Sequence, residues 1–127
     1  MMPVDDLEQA IPLYRAVVGN GDPIRCEAPE LGLRIAYFAC GNGDLVEPIE
    51  TSAKTEMKHG DVVVAFEVED VATEIARLKT AGTKVYHLKP TENMPFERGW
   101  ITKADGHGTI LELCPRGAVK ALVNGSH

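Results

Sequence analysis

The chain has no apolar run long enough to cross a bilayer, no cluster of basic residues and no cysteine pair at metal-binding spacing. Each absence closes a class of function. The longest apolar stretch, Ile35 to Cys40, falls far short of the roughly 20 residues a membrane helix needs. The start M-M-P-V-D-D-L-E is acidic and lacks the basic and apolar regions of a secretory leader, so the expected location is the cytoplasm. Thirteen Lys and Arg against 19 Asp and Glu leave a net charge of -6. That balance repels a phosphate backbone, and neither nucleic acid nor membrane is an expected partner. Three cysteines, Cys26, Cys40 and Cys114, form no C-x-x-C, and their odd number suits free thiols in a reducing compartment. A nucleophile elbow, a phosphate-binding loop and a dinucleotide fingerprint are all missing.

What is there fits one soluble domain with a real core: 127 residues, 44% of them apolar and 25% charged. Asp5 opens a helix signature, with Glu8 placed as in a capping box, Leu7, Ala10, Ile11, Tyr14 and Val18 at helical spacing, and Gly19 as the stop. Pro12 interrupts it and removes one helix hydrogen bond. Strands are expected at Ile24 to Glu27 and Leu33 to Ala39, then over D-L-V-E-P-I (Asp44 to Ile49), where Pro48 argues for an early end or an edge. After the polar segment 51–60, D-V-V-V-A-F-E-V (Asp61 to Val68) is the clearest strand. Asp70 caps a second helix carrying Val71, Ile75 and Leu78, which Gly82 ends. Further strands are expected at Lys84 to Leu88, Gly99 to Lys103 and Thr109 to Cys114, followed by a tail that is weakly helical at best.

The two halves repeat. V-D-D-L (Val4 to Leu7) lies over V-E-D-V (Val68 to Val71), with Ile11 over Ile75 and Arg15 over Lys79; further on, G-D-L-V-E (Gly43 to Glu47) lies over G-T-I-L-E (Gly108 to Glu112). Recurrent order and spacing mark two copies of a strand, helix, three-strand unit. Module one spans about 1–50, a linker 51–60, module two about 61–115 and a tail 116–127. The strand Asp61 to Val68 has almost no counterpart, since its partner would begin before Met1, so the first strand of module one is expected to be truncated.

The second module ends in D-G-H-G-T-I-L-E-L (Asp105 to Leu113), where Glu112 stands inside an otherwise apolar strand. If Ile110, Glu112 and Cys114 share one face, Leu111 and Leu113 can pack in a core while Glu112 looks into a cavity. The competing reading is a wetted strand with Glu112 in water.

This ending resembles the D-P-x-G-N-x-I-E-L of the vicinal oxygen chelate superfamily, with Gly106 in place of the usual proline. V-V-A-F-E-V-E-D-V resembles that family's H-I-A-F-x-V-x-D-V. The group includes glyoxalase I, methylmalonyl-CoA epimerase, extradiol dioxygenases, and the bleomycin and fosfomycin resistance proteins. The resemblance covers residues 3–115. It implies an α+β fold of two βαβββ modules with sheets curled around a cup, commonly in a homodimer. In the enzymes the cup holds a divalent metal, bound by one residue from the first and fourth strands of each module, which acts as a Lewis acid.

Carried over residue by residue, Glu112 matches the last ligand and Glu47 its counterpart in module one, with Asp44 as the alternative should that strand slip. Val63 stands where a histidine is expected, and an isopropyl group has no lone pair. The remaining ligand would precede Met1. His59 lies four residues from Val63, too far at roughly 3.3 Å per residue to replace it without a bulge or a loop folding back. Two carboxylates lack the nitrogen ligands that zinc, nickel or iron take. No tightly held metal or other cofactor is therefore expected, a weakly bound divalent ion through Glu47 and Glu112 being the alternative.

Strand alternation supplies the lining of the expected cup. Val64, Phe66 and Val68 would pack under the second helix, leaving Val63, Ala65 and Glu67 inward. Pairing across Gly41-Asn42-Gly43 and Gly106-His107-Gly108 brings Arg34 and Phe38 to the face of Glu47, and Ile101 and Lys103 to that of Glu112; a slip of one residue reverses these assignments. Trp100 is a further candidate for the lining. An ion pair of Glu47 with Arg34, or of Glu112 with Lys103, would satisfy the carboxylates without chemistry. The expectation is a small-molecule-binding protein that works as the bleomycin-resistance branch does, by sequestration. The alternative is an isomerase or lyase of the glyoxalase or epimerase type acting on an acyl-CoA or α-oxo acid through Glu47 and Glu112.

Overall fold

The two longer helices each begin where an aspartate side chain takes up a free backbone N–H. Asp6 accepts from the N–H of Gln9 at 3.1 Å, and Asp70 from that of Thr73 at 3.0 Å. The first cap is therefore Asp6 and not Asp5, in line with the repeat, which sets Asp6 against Asp70. The computed structural model describes residues 1–19, 21–29, 32–41, 44–51, 57–58, 60–92 and 94–125. The expected positions of His59 and of Asn42 and Gly43 lie outside them. Contacts divide the chain into residues 1–62 and 63–127.

Module one contains β1 (Met2–Val4), α1 (Leu7–Val18), β2 (Ile24–Ala28), β3 (Leu33–Ala39), β4 (Leu45–Val46) and β5 (Pro48–Glu50), with sheet order β1-β5-β3-β2 and β4 paired to β3. β1 is short but present, running parallel to β5 with Val4 beside Glu50. α1 continues through Pro12 and stops at Gly19, whose left-handed conformation (φ 72°) suits a residue without a side chain. Leu7 and Ile11 on α1 pack with Ala36 and Phe38 of β3, and Val4, Tyr14, Val18 and Val46 close around them. Burying each such leucine or isoleucine contributes about 1.5–3 kcal/mol.

The strand entered at Leu45 ends early, at Val46, as one of the two expectations for Pro48 has it; the edge position does not follow. Pro48 opens a strand that lies between β1 and β3, not at an edge. Lacking an N–H, it breaks the ladder instead. Phe38 pairs with Val46 and Ile35 with Ile49 in one continuous register, and the strand facing β3 is split at Glu47 into β4 and β5.

Module two repeats the plan with β6 (Val63–Val68), α2 (Val71–Thr80), β7 (Tyr86–Leu88), β8 (Arg98–Ile101) and β9 (Ile110–Pro115), in sheet order β6-β9-β8-β7. Both modules place the first strand parallel to the last. Val71, Ile75, Val85, Ile101 and Leu113 form the core under α2, joined by Val68, Leu78 and Leu111. A Cβ on Gly99 would stand 3.3 Å from Ile75 and 3.1 Å from Leu113, so a glycine there lets the helix sit close to the sheet. Val68 packs in this core as expected, whereas Val64 and Phe66 are 39% and 51% exposed. They belong to the outer strand of the sheet, beyond the reach of the short helix. The tail forms a helix, α3 (Ala118–Gly125), contrary to the weak helical signal of its sequence. Among the described residues no helix is long and apolar enough to cross a membrane.

Candidate functional site

The face of the module-two sheet turned away from α2 carries the ionisable group that the sequence singled out. On β9, Leu111 and Leu113 go to the helix side, and Ile110, Glu112 and Cys114 to the other, where all three are buried. Across β8, Trp100 pairs with Glu112 and Ile101 with Leu111; across β6, Ala65 pairs with Glu112 and Val63 with Ile110. Alternation back from Trp100 puts Arg98 on the same face. Its Nη1 donates to Glu112 Oε2 at 3.2 Å, and the two residues are 5% and 3% exposed.

A buried pair of this kind loses the hydration of both ions, a penalty of several kcal/mol per ion, and recovers it only through good pairing. Here the pairing is incomplete. The Nε–H of Arg98 is buried and has no hydrogen-bond partner among the described residues, a cost on the order of 1–3 kcal/mol. Burial pushes the Glu112 carboxyl above the usual carboxylate range, and the charge and hydrogen bond of Arg98 pull it partly back.

In module one the register shared by β4 and β5 sets Glu47 across from Tyr37, just as Glu112 stands across from Trp100. Glu47 is half-buried at the break between the two strands, and its carbonyl accepts the N–H of Met2 at 2.8 Å. Arg34 and Phe38, expected on its face, are elsewhere. Phe38 is a core residue beneath α1, its ring 6.2 Å from that of Tyr14. Arg34 is exposed and lies 3.3 Å from Glu50, 3.6 Å from Glu8 and 3.7 Å from Glu27. The expected Arg34 to Glu47 pairing is replaced by one with Glu50, its cross-strand partner.

A slip of one residue also moves the second hairpin. Ile101 belongs to the α2 core and not to the face of Glu112. Lys103 lies past the end of β8 in an exposed turn, and Glu112 pairs with Arg98 rather than with it. Trp100 is half-buried directly beside Glu112. Val63 is buried next to Ile110, and Glu67 is exposed opposite Cys114. Sequence reasoning missed Arg98 because the strand was expected to begin at Gly99; two-residue alternation from Trp100 was the signal that marked it.

The model of one family, the glyoxalase/bleomycin resistance protein/dioxygenase superfamily, matches residues 1–113. The chain belongs to that superfamily. Solved structures share its fold, that of the vicinal oxygen chelate proteins. Methylmalonyl-CoA epimerase from Mycobacterium tuberculosis is 20% identical over 94% of this chain and 87% of its own, with a TM-score of 0.73. A hypothetical protein from Bacillus halodurans C-125 is 16% identical over 91% and 89%, with a TM-score of 0.75. A Streptomyces coelicolor methylmalonyl-CoA epimerase variant in complex with 2-nitronate-propionyl-CoA is 21% identical over 90% and 91%, with a TM-score of 0.65. Likeness at these identities establishes fold alone. The curated proteins contain no match.

The divalent metal that the superfamily implies does not suit the donors of module two. The Glu112 carboxylate is already engaged by a guanidinium cation, which repels a second cation at that distance. Val63, next to Ile110, offers no lone pair. Among the described residues no three His, Cys, Asp or Glu side chains are grouped to hold an ion.

Proposed function

We propose that this superfamily member binds a small organic molecule on the sheet face of module two that carries Arg98, Trp100 and Glu112, without a tightly held metal. The observation that carries this reading is the buried Arg98 to Glu112 pair. Module one builds the same register with Ile35 and Ile49 where module two has Arg98 and Cys114. The fold thus does not need the arginine, since module one keeps a glutamate, Glu47, at the matching position but has Ile35 in place of Arg98. A costly buried cation without a structural need points to a binding role. Trp100 beside them supplies a flat apolar surface of the kind small-molecule sites use. Elemental analysis of the purified protein and melting against a panel of metabolites and antibiotics, with and without divalent ions, test it. The expected result is a compound that raises Tm without added ions. One tightly held divalent ion per chain, or a panel with no binder, defeats the reading.

A second reading is an isomerase or lyase acting on an acyl-CoA or α-oxo acid, with Glu47 and Glu112 moving protons. It is favoured by the raised Glu112 carboxyl and by neighbours that include a methylmalonyl-CoA epimerase in complex with methylmalonyl-CoA and NH4+. If turnover is detected and the Glu47→Gln, Glu112→Gln double variant retains all of it, that mechanism fails. A cytoplasmic homodimer is part of both readings. The exposed Val64 and Phe66 on the outer strand β6 support the dimer, and light scattering that finds only monomer at every concentration removes it.

A further inference from the structure

The packing of module two gives no reason for an arginine at position 98. A guanidinium is a planar fork of five N–H donors with no acceptor. Glu112 takes Nη1, at 3.2 Å, and so holds the fork in place. Nη1 is remote from the edge that carries Nε, the edge that receives a carboxylate side-on. On that edge Nε–H is buried and has no partner among the described residues. A buried donor left over in this way calls for an acceptor from outside the chain, whether water, an ion or an oxygen of a bound molecule.

We infer that Arg98 is the anchor for a carboxylate of the bound molecule, its Nε edge receiving an oxygen of a small organic acid while Glu112 serves as its internal counterion. The guanidinium thereby takes the place beside Glu112 that a metal ion has in metal-dependent relatives. The inference rests on the site proposed above and narrows its ligand to organic acids, with Trp100 against the remainder of the molecule.

The test follows the Arg98 Nε–H signal by NMR in the isotope-labelled full chain while formate is added, with formamide as a neutral control of the same size. A saturable shift with formate and none with formamide is expected. The Arg98→Met, Glu112→Leu double variant, which leaves no buried charge unpaired, identifies the signal by its loss and should bind formate about tenfold or more weakly. No shift with formate, an equal shift with formamide, or undiminished formate binding by the double variant overturns the inference. If formate leaves the signal unmoved while a neutral compound of the panel raises Tm, the anchor fails and the site stands. If neither formate nor any panel compound binds, both fall.

Discussion

The two modules are the same plan executed with different chemistry at one register position. In module one, Tyr37 stands across from Glu47, and Ile35, two residues back, pairs with Ile49. In module two, Trp100 stands across from Glu112, and two residues back is a buried arginine. Both arrangements close a four-stranded path with the first strand beside the last. The aliphatic version shows that hydrophobic burial suffices to hold this position. The ionic version therefore adds desolvation cost without adding fold, and that asymmetry between copies singles out module two as the chemically equipped half.

The two modules differ most in energy at Arg98. Arg98→Ile gives module two the side chain of module one but leaves Glu112 buried without its cation, and should cost about 3–5 kcal/mol in urea unfolding. The Arg98→Met, Glu112→Leu double variant should lie within about 1 kcal/mol of the native protein or above it. A single variant as stable as native would mean that an unpaired buried Glu112 carries little desolvation cost, and the contrast between modules would lose its force. The pH dependence carries the same information. Since the Glu112 carboxyl is raised by burial, the native state holds its proton at pH values where the unfolded chain has released it. Stability then falls as pH rises from the ordinary carboxylate range through the raised one. Glu112→Gln should abolish that slope, and Arg98→Ile should extend it to higher pH, because the cation that pulls the value down is gone.

The hairpin turns differ next. A Cβ on Gly106 would stand 1.9 Å from the Thr109 carbonyl oxygen, whereas one on Gly41 of the matching turn meets nothing within 4 Å. Gly106→Ala should cost about 2–4 kcal/mol, and Gly41→Ala no more than about 0.5 kcal/mol. Equal effects on the denaturation midpoint would show that the two turns are under the same constraint after all.

That turn also explains what the sequence did not disclose. Helix starts, the α2 core and the order of strands are written locally, in capping residues and in periods of two and of 3.6 residues. The repeat even marks the right cap, Asp6 against Asp70, where the capping-box spacing to Glu8 favoured Asp5. Strand register is not local. It is fixed by the loop between β8 and β9, where Gly106 N–H bonds to Thr102, Gly108 N–H bonds to Lys103, and His107 takes a left-handed conformation (φ 55°). This compact turn shifts Trp100, not Ile101, onto Glu112. The same shift hid Arg98, one position before the strand seemed to start. Because both helix starts were legible, they should also be interchangeable in energy. Asp6→Ala and Asp70→Ala should each cost about 1 kcal/mol, and a large disparity in midpoint between them would show that Glu50, which accepts the Leu7 N–H at 2.9 Å, shares the capping of α1.

A small effect is also expected at Arg34 of module one. It has three carboxylates within reach, Glu50, Glu8 and Glu27, yet its side chain is 44% exposed. Water and salt screen these pairs, and each long side chain loses rotamer freedom when it pairs. Arg34→Ala should cost less than about 1 kcal/mol, and the loss should shrink further in high salt. The same salt should leave the cost of Arg98→Ile nearly unchanged, since a buried charge left unpaired is poorly screened. The number of acidic partners would predict the reverse ranking, so unfolding both variants at low and high salt decides whether burial or partner count sets the worth of an arginine in this fold.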